Sequence, residues 1–446
     1  MRPEPRPRSR RQVLAVLGAL SVAGCTAYFT DDTESTPATT PTPDPNGTPA
    51  DPAFDPDWEP ASGSPLEADV TVEVLVENLE IPWDIAFDPD GGLFLTERTG
   101  RVSRFDETEL ETIREPEDAI DAGAVEPGDE ERPWWVEGGE GGTLGVAVHP
   151  SYPDPSYVYV YYTATSGGSI RNRVVRYDVS DTDPNGTSEV VVDDIPADTI
   201  HNGGRIDFGP EGYLWILTGD AGEESLSQDP DSLAGKILRT TPSGEPAPDN
   251  PELDDADPRI FTTGHRNPQG ISWLPDGTPI VTEHGPSARD EIILLRPGAN
   301  NGWPEARDEE DYVGSGYGSP LVNTGPGDTW APSGCTVYTG DVIPEWHNRL
   351  LVGGLVSQQL VVVTLTRPDG ELPPLDGDST RYDADWLDDE YVATAHRVLE
   401  DELGRIRHVA QSPSGELYAI TSNRDGRAER GFPTDSDDVL VRLTVS

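Results

Sequence analysis

A histidine beside a pair of glycines is the first group in the sequence that could do chemistry. The chain has seven histidines, and His201 opens the stretch HNGGRIDFGPEGYLWILTGD. An imidazole titrates near neutral pH and can therefore take or give a proton in catalysis. The glycines after it leave two interpretations open. His201 belongs to a turn, or the hinge directs its ring at a ligand.

Arginine-containing segments form a second candidate set. They are GHRNPQG, with Arg266 and Asn267, and GRIRHV, with Arg405 and Arg407, while Glu140 lies in GGEGGTLG. Guanidinium groups grip carboxylates and phosphates through paired hydrogen bonds, so a cluster would favour a ligand with several such groups. The chain also has 83 acidic residues, and any single arginine could simply pair with one of them. Only joint placement favours a binding site.

One phrase recurs six times and predicts the elements that carry these groups. Each copy is a short apolar strand, a turn of Pro, Gly and Asp, and a second strand, often followed by a third. The copies lie roughly 60–70 residues apart, as expected for a radial repeat, and are marked by Pro89, Pro150, Pro210, Pro275, Pro344 and Pro413. The repeat predicts an all-β fold, a six-bladed β-propeller of four-stranded antiparallel blades. A sandwich would not give six equal phrases, and a solenoid needs a shorter period.

Ring closure and the position of the candidate groups follow from that fold. The strand VTVEVLVENL (71–80) is expected to pair with the final strand DDVLVRLTV and close the ring. The innermost strand of each blade lines the central channel, and the loop before it opens on one face. The loops before the inner strands therefore predict that seven groups converge on one mouth: Glu140, His201, Arg205, Arg266, Asn267, Arg405 and Arg407.

The amino-terminal sequence predicts an export signal followed by a tether. Arg10 and Arg11 precede a short apolar run that ends in VAGC at Cys25. This pattern predicts a twin-arginine lipoprotein signal over residues 1–25, with lipidation of Cys25 anchoring the protein to the outer face of the cytoplasmic membrane. The Thr-, Pro- and Asp-rich segment 26–63 is expected to be a disordered tether.

The remaining residues, 64–446, are predicted to form the propeller domain, in which Cys335 has no partner for a disulfide if Cys25 is lipidated. The formal net charge is −52, and Lys236 is the single lysine. Such a charge excludes nucleic acid as a partner. It also favours a halophilic protein, because at molar salt the Debye length is only about 3 Å and self-repulsion is screened.

Seven segments in order resemble the soluble, pyrroloquinoline quinone (PQQ)-dependent aldose sugar dehydrogenases of the glucose/sorbosone dehydrogenase family. They cover most of residues 70–446: IPWDIAFDPDGGLFLTERTGRV, GEGGTLGVAVHP, HNGGRIDFGPEGYLWILTGD, GHRNPQGISWLPDG, TEHGPSARDEI, NNGWP and GRIRHVAQSPSGELY. The resemblance implies an enzyme that oxidises an aldose at its anomeric carbon to the lactone, with hydride transfer to PQQ bound with Ca²⁺. The downstream electron acceptor is not identified by the sequence.

The resemblance also implies roles for individual residues. His201 matches the catalytic base, whereas the cofactor would be held by Arg266, Asn267, Arg405 and Arg407, with Glu140 nearby. Calcium would be bound by two groups of oxygen ligands, which suit a hard cation. The carbonyls of Gly285 and Pro286 match the ion at the quinone, and Glu291 with the carbonyl of Asn301 matches a second, structural position.

One departure leaves an alternative open. In blade 5 the family has a lysine that meets the quinone, but this chain has Val356 in VGGLVSQQL. A charged hydrogen bond contributes about 1.5–3 kcal/mol, so its absence predicts weaker cofactor binding. The alternative is therefore a non-catalytic propeller that binds a sugar or a protein at the same mouth. A calcium-dependent lactonase would need more carboxylates around the metal than the sequence offers.

Overall fold

The sixfold repeat folds into six antiparallel sheets around a central channel. The computed structural model describes residues 54–124, 139–181, 183, 186 and 188–445. The predicted signal over 1–25, Cys25 and the tether up to residue 53 lie outside this part of the chain. Five sheets have four strands, and blade 5 has a fifth. The predicted six-bladed propeller is confirmed.

In blades 1 to 4 the strands run outward from the channel in chain order, whereas β21 lies outside β22 in blade 5 and β1 is the outermost strand of blade 6. Each strand pairs antiparallel with its neighbour. Blade 1 comprises β2 (Pro82–Phe87), β3 (Leu93–Glu97), β4 (Arg101–Phe105) and β5 (Leu110–Arg114). Blade 2 comprises β6 (Thr143–Val148), β7 (Tyr157–Ser166), β8 (Ser169–Asp178) and β9 (Ser188–Pro196). Blade 3 comprises β10 (Ile206–Phe208), β11 (Leu214–Leu217), β12 (Lys236–Thr240) and β13 (Ile260–Thr263).

Blade 4 comprises β14 (Pro268–Trp273), β15 (Pro279–Glu283), β16 (Glu291–Leu294) and β17 (Val322–Asn323). Blade 5 comprises β18 (Pro332–Tyr338), β19 (Arg349–Gly354), β20 (Gln359–Thr366), β22 (Val392–Val398) and the outermost β21 (Ser379–Tyr382). Blade 6 comprises β23 (Ile406–Gln411), β24 (Leu417–Thr421), β25 (Leu440–Val445) and β1 (Val70–Val76). The helices in the described residues are 3₁₀ turns at Pro65–Glu67, Glu224–Gln228 and Pro344–Trp346 and one α-helical turn, α1 (Glu309–Tyr312).

The ring closes where the sequence predicted. Strand β1 pairs antiparallel with β25, with Val70 opposite Val445, so the outer strand of the last blade comes from the amino-terminal end. None of the helices in the described residues is long and apolar enough to cross a membrane.

Turn chemistry and burial explain why these residues form blades. In the DPDGG turn of blade 1, Asp88 Oδ1 accepts the N–H groups of Asp90 and Gly92, and Gly91 has a φ of 94°, which favours glycine. Strand β20, QLVVVTLT, is buried along its whole length. A continuous apolar run suits a strand covered on both faces, as here by the neighbouring blades.

The segment just before residue 64, which its composition assigned to the tether, is packed on the propeller. Trp58 is buried, and its Nε1 donates to Asp276 Oδ2 at 3.1 Å. Arg349 Nη2 donates to the carbonyls of Ala61 and Gly63 at 2.6 and 2.8 Å. The contacts with the domain therefore begin before residue 64, because a tryptophan within the polar segment docks against blades 4 and 5.

The geometry of the ring decides which loops share a face. In an antiparallel blade, the loop before the first strand and the loop joining the second and third strands lie at the same end. At the opposite end, the inner strands surround a cavity of about 460 Å³. Trp83, in the inner strand of blade 1, is buried, and the Arg205 and Arg407 guanidinium carbons lie 4.3 and 5.9 Å from its ring centroid.

Candidate active site

The loops before the inner strands meet around a cavity of about 510 Å³. Five of the six residues predicted to be catalytic or to bind the cofactor line it: Glu140, His201, Arg266, Asn267 and Arg405. Arg407 lies beneath, in a small recess that Glu140 and Asn267 also line. The structure thus brings all six predicted catalytic and cofactor-binding residues to one end of the channel.

Arg205 is the exception among the seven groups expected at this mouth. It is buried below it, forms an ion pair with Asp84 and donates from Nε to the Gln269 carbonyl at 2.9 Å. It lines the cavity at the opposite end instead. The expectation was wrong for Arg205 because, as the last residue before β10, it already follows the strand into the channel.

Three contacts hold His201 in an uncommon backbone conformation, and one of them is the hydrogen bond that the Ala221 N–H donates to the His201 carbonyl at 3.1 Å. Its φ is 55°, in the left-handed region, and its N–H donates to Glu140 Oε2 at 2.8 Å. Its Nδ1 lies 2.7 Å from Asp220 Oδ1, and Asp220 is fully buried. A carboxylate at Nδ1 favours the tautomer with the proton on Nδ1, which leaves the lone pair on Nε2. The side chain is 14% exposed and lines the cavity, so Nε2 is the nitrogen able to accept a proton there.

The glycines after His201 allow a close approach that no other residue permits. A Cβ on Gly203, whose φ is 60°, would lie 2.5 Å from the Leu217 carbonyl oxygen. The Gly203 N–H donates to Asn267 Oδ1 at 3.1 Å, which joins the loop of blade 3 to that of blade 4. The hinge is therefore a turn, and it also presents His201 to a cavity.

Buried arginines surround a single carboxylate at the floor of the site. Arg405 Nη2 and Nε lie 2.7 and 3.1 Å from Asp425 Oδ2, and Arg407 Nη2 lies 3.9 Å from the same oxygen. Burial would raise the pKa of Asp425, but Arg405, Arg407 and Arg427 together hold it below its usual value. Burial lowers the pKa of Arg407 to about 9, and Asp425 only partly opposes that shift. Arginine outnumbers carboxylate here, so the floor favours an anionic ligand.

Two buried nitrogens around the large cavity and its recess lack a hydrogen-bond partner among the described residues. They are Nε of Arg407 and Nε2 of His284, a residue that lines both the large cavity and the recess beneath it. Burial lowers the pKa of His284 to about 3, so its ring is neutral at ordinary pH. Buried polar atoms are almost always paired in folded proteins, so these two are suited to a ligand.

Arg266 and Asn267 lie in the loop before β14, and contacts with neighbouring residues of blade 4 hold their side chains in place. Arg266 Nη1 donates to the His284 carbonyl at 3.1 Å, and its guanidinium carbon lies 5.4 Å from the Trp303 ring centroid. Asn267 Oδ1 accepts from Gln269 Nε2 at 3.1 Å. Burial lowers the pKa of Arg266, although Asp220 and other acids nearby oppose that effect.

The four residues predicted to bind calcium line one small cavity beside the large one. They are Gly285, Pro286, Glu291 and Asn301, and Gly285 borders both cavities. Glu291 accepts from Tyr312 Oη and Asn323 Nδ2, each at 2.9 Å, and burial with the nearby Glu283 raises its pKa to about 8. The described residues contain no group of three or more His, Cys, Asp or Glu side chains arranged around a metal position. A cation here would therefore rely on backbone carbonyls together with Glu291, an oxygen set suited to calcium.

Several residues that shape the site were not predicted from the sequence to be site residues. They are Asp220, His284, Asp425 and Arg427, and each lies in a loop that joins the second and third strands of its blade. These loops share the face of the loops before the inner strands. Titratable residues in the loop after the second strand of each blade could therefore have been predicted to lie at the site.

Comparison with known proteins shows which family the chain resembles. The sequence model of the family described as Glucose / Sorbosone dehydrogenase matches residues 79–430. The aldose sugar dehydrogenase YliI of Escherichia coli is 29% identical over 383 residues, which cover 82% of this chain and 94% of the relative. The PQQ-bound aldose sugar dehydrogenase of Streptomyces coelicolor is 33% identical, with a TM-score of 0.64, over 85% of this chain and 99% of that one.

The soluble aldose sugar dehydrogenase of Escherichia coli, solved in its apo form, is 27% identical with a TM-score of 0.67, over 84% of this chain and all of that one. The family model spans well over half of the chain, from just before blade 1 to the loop after the second strand of blade 6. The family resemblance of the seven segments is thereby confirmed, and the chain belongs to the glucose/sorbosone dehydrogenase family.

Proposed function

We propose that this protein is a quinoprotein sugar dehydrogenase that oxidises an aldose at its anomeric carbon to the lactone. The observation that carries the proposal is His201, whose Nδ1 is engaged by Asp220 while its ring lines a cavity of about 510 Å³. Nε2 would accept the proton of the anomeric hydroxyl, and Asp220 would stabilise the imidazolium that results.

The residues of the site fit PQQ, whose carboxylates need cationic partners. Arg405 and Arg407 at the floor and Arg266 with Asn267 at the wall would hold it, and the Arg407 Nε without a partner among the described residues supports this assignment. Gly285, Pro286, Glu291 and Asn301 would hold calcium beside it. When bound with calcium, PQQ supplies the quinone that takes up the hydride.

Reconstitution tests the proposal. The apoprotein in concentrated salt, given PQQ and Ca²⁺, is expected to reduce a redox dye in the presence of at least one aldose from a panel. The dye stands in for the electron acceptor, which is not identified. Absence of turnover with every sugar, together with absence of quinone binding by absorbance, would refute the dehydrogenase in favour of a non-catalytic binding propeller.

A lysine in place of Val356 is expected to tighten quinone binding. Val356 lines the cavity and is 50% exposed, so a longer side chain has room there. A new charged hydrogen bond would lower the PQQ dissociation constant about tenfold or more. Titration of the apoprotein by tryptophan fluorescence measures this. Val313→Lys is the matched control at a more exposed valine away from the cavity, and equal affinity in all three proteins would mean that another group already makes the contact.

We also propose that the protein is exported and lipid-anchored to the outer face of the membrane through Cys25. The support is the order Arg10-Arg11, short apolar run and VAGC in the sequence. Mass spectrometry of the mature amino terminus tests this, since an unmodified Met1 or an unlipidated Cys25 would contradict it.

A further inference from the structure

An ion pair joins the last blade to the second across the mouth of the channel. Arg427, in the loop after β24, places Nη1 and Nη2 each 3.2 Å from Glu140 Oε1, in the loop before β6. The side chains are 25% and 24% exposed. Both residues also line the large cavity and the recess beneath it. The pair is therefore part of the wall of the site and is partly shielded from solvent.

The other oxygen of Glu140 continues this contact to His201. Glu140 Oε2 accepts the His201 N–H at 2.8 Å, and the Glu140 N–H donates to the Thr199 carbonyl at 2.9 Å. His201 has a φ of 55°, which is unfavourable for a residue with a Cβ and needs support from its surroundings. Among the described residues, that support comes from Glu140 at the His201 N–H, from the Ala221 N–H at the His201 carbonyl (3.1 Å) and from Asp220 at Nδ1.

We propose that Arg427 is a positioning residue that holds Glu140 so that Glu140 fixes the backbone and the ring direction of His201. Arg427 binds one carboxylate oxygen and leaves the other to accept from His201, so the carboxylate has little freedom to rotate. The role of Arg427 rests on the proposed function, in which His201 is the base. With this role, blade 6 would contribute to catalysis through Arg427 as well as to cofactor binding through Arg405 and Arg407.

The charge around Glu140 supports the same role. Burial would raise the pKa of Glu140, but Arg427 first, and then the hydrogen bond from the His201 N–H, hold it below its usual value. Arg98 and Arg266 also lie close enough to interact with its charge. Without Arg427 the pKa of Glu140 rises, so its ionised form would be lost at a higher pH as the solution is acidified.

Replacement of Arg427 by glutamine tests the proposal. We expect kcat to fall by about 10²-fold, as for a small misplacement of a catalytic group, with little change in PQQ affinity. The acid limb of the kcat/KM profile should move to higher pH. Arg427→Lys keeps the charge and should retain the wild-type profile. Arg430→Gln is the matched control, because Arg430 pairs with the exposed Asp401 at 2.8 Å away from the cavity.

A second measurement does not depend on turnover. In ¹⁵N-histidine-labelled apoprotein, the His201 amide proton should shift upfield in Arg427→Gln, because it loses a carboxylate acceptor held in place, and it should stay unchanged in Arg430→Gln. If the wild-type protein showed no quinone-dependent activity, the proposed function would be refuted. The amide shift would then still test whether Arg427 holds Glu140 against the His201 N–H. An unmoved amide, an unmoved pH profile, or a loss confined to PQQ affinity would overturn the positioning role.

Discussion

A His201→Gln variant is expected to lose about 10²–10⁴-fold in kcat, the range for removal of a general base. Glutamine retains a polar side chain of similar reach, but its amide cannot accept a proton at neutral pH. The backbone contact of residue 201 with Glu140 involves its N–H and survives the change. Steady-state dye reduction with PQQ and Ca²⁺ measures kcat, and tryptophan fluorescence measures quinone binding, which should remain within about twofold because no cofactor charge partner is removed.

His347→Gln provides the matched control. His347 lies just before β19 in blade 5, away from the cavity, and its Nδ1 contacts the Gly340 carbonyl at 3.0 Å. This control should keep wild-type turnover. Activity that survives in His201→Gln would show that another group takes the proton, and a parallel loss of quinone binding would show that His201 holds the cofactor instead.

Replacement of Asp425 by asparagine is expected to lower the free energy of unfolding by about 3–5 kcal/mol, the cost of removing one partner from a buried ion pair. Asp425 is 3% exposed, and its Oδ2 is the carboxylate acceptor for Arg405 Nε and Nη2. An amide is neutral and would leave Arg405 and Arg407 as uncompensated charges at the floor of the site. Guanidinium chloride unfolding of the apoprotein at constant ionic strength measures the loss.

Asp435→Asn is the matched control, because Asp435 is an exposed residue in the loop before β25. It should leave stability within about 0.5 kcal/mol of the wild type. Added PQQ is expected to recover part of the loss in Asp425→Asn, since its carboxylates would supply the missing negative charge. Equal stability of the two variants would contradict the description of Asp425 as the anion that balances this floor.

The fold was predictable because its signal is periodic. Six copies of strand, turn and strand at a long, even spacing are compatible with few architectures, and each turn carries Asp and Gly where the backbone needs them. The fifth strand of blade 5, Ser379–Tyr382, was not predicted. It is four residues long and lies at the outer edge of its sheet, where little of the strand is buried and the hydrophobic pattern is weak.

The candidate site was predictable in part for the same reason. Glu140, His201, Arg266 and Asn267 lie directly before inner strands, so their positions follow from the repeat. Arg205 also precedes an inner strand, yet it is drawn into the channel by Asp84 and Trp83. Whether a residue at such a boundary faces the mouth or the interior depends on the partners that other blades supply.

The sequence by itself determined the architecture, the closure of the ring by β1 and β25, and the family, because these depend on patterns that are local or regularly repeated. Only the tertiary structure decided which charges meet. Asp220 with His201, Asp425 with Arg405, and Arg427 with Glu140 each join loops separated in the chain, the last by 287 residues. Such pairs have no local signature, since each depends on the short distances that the closed ring imposes between loops of different strands and blades.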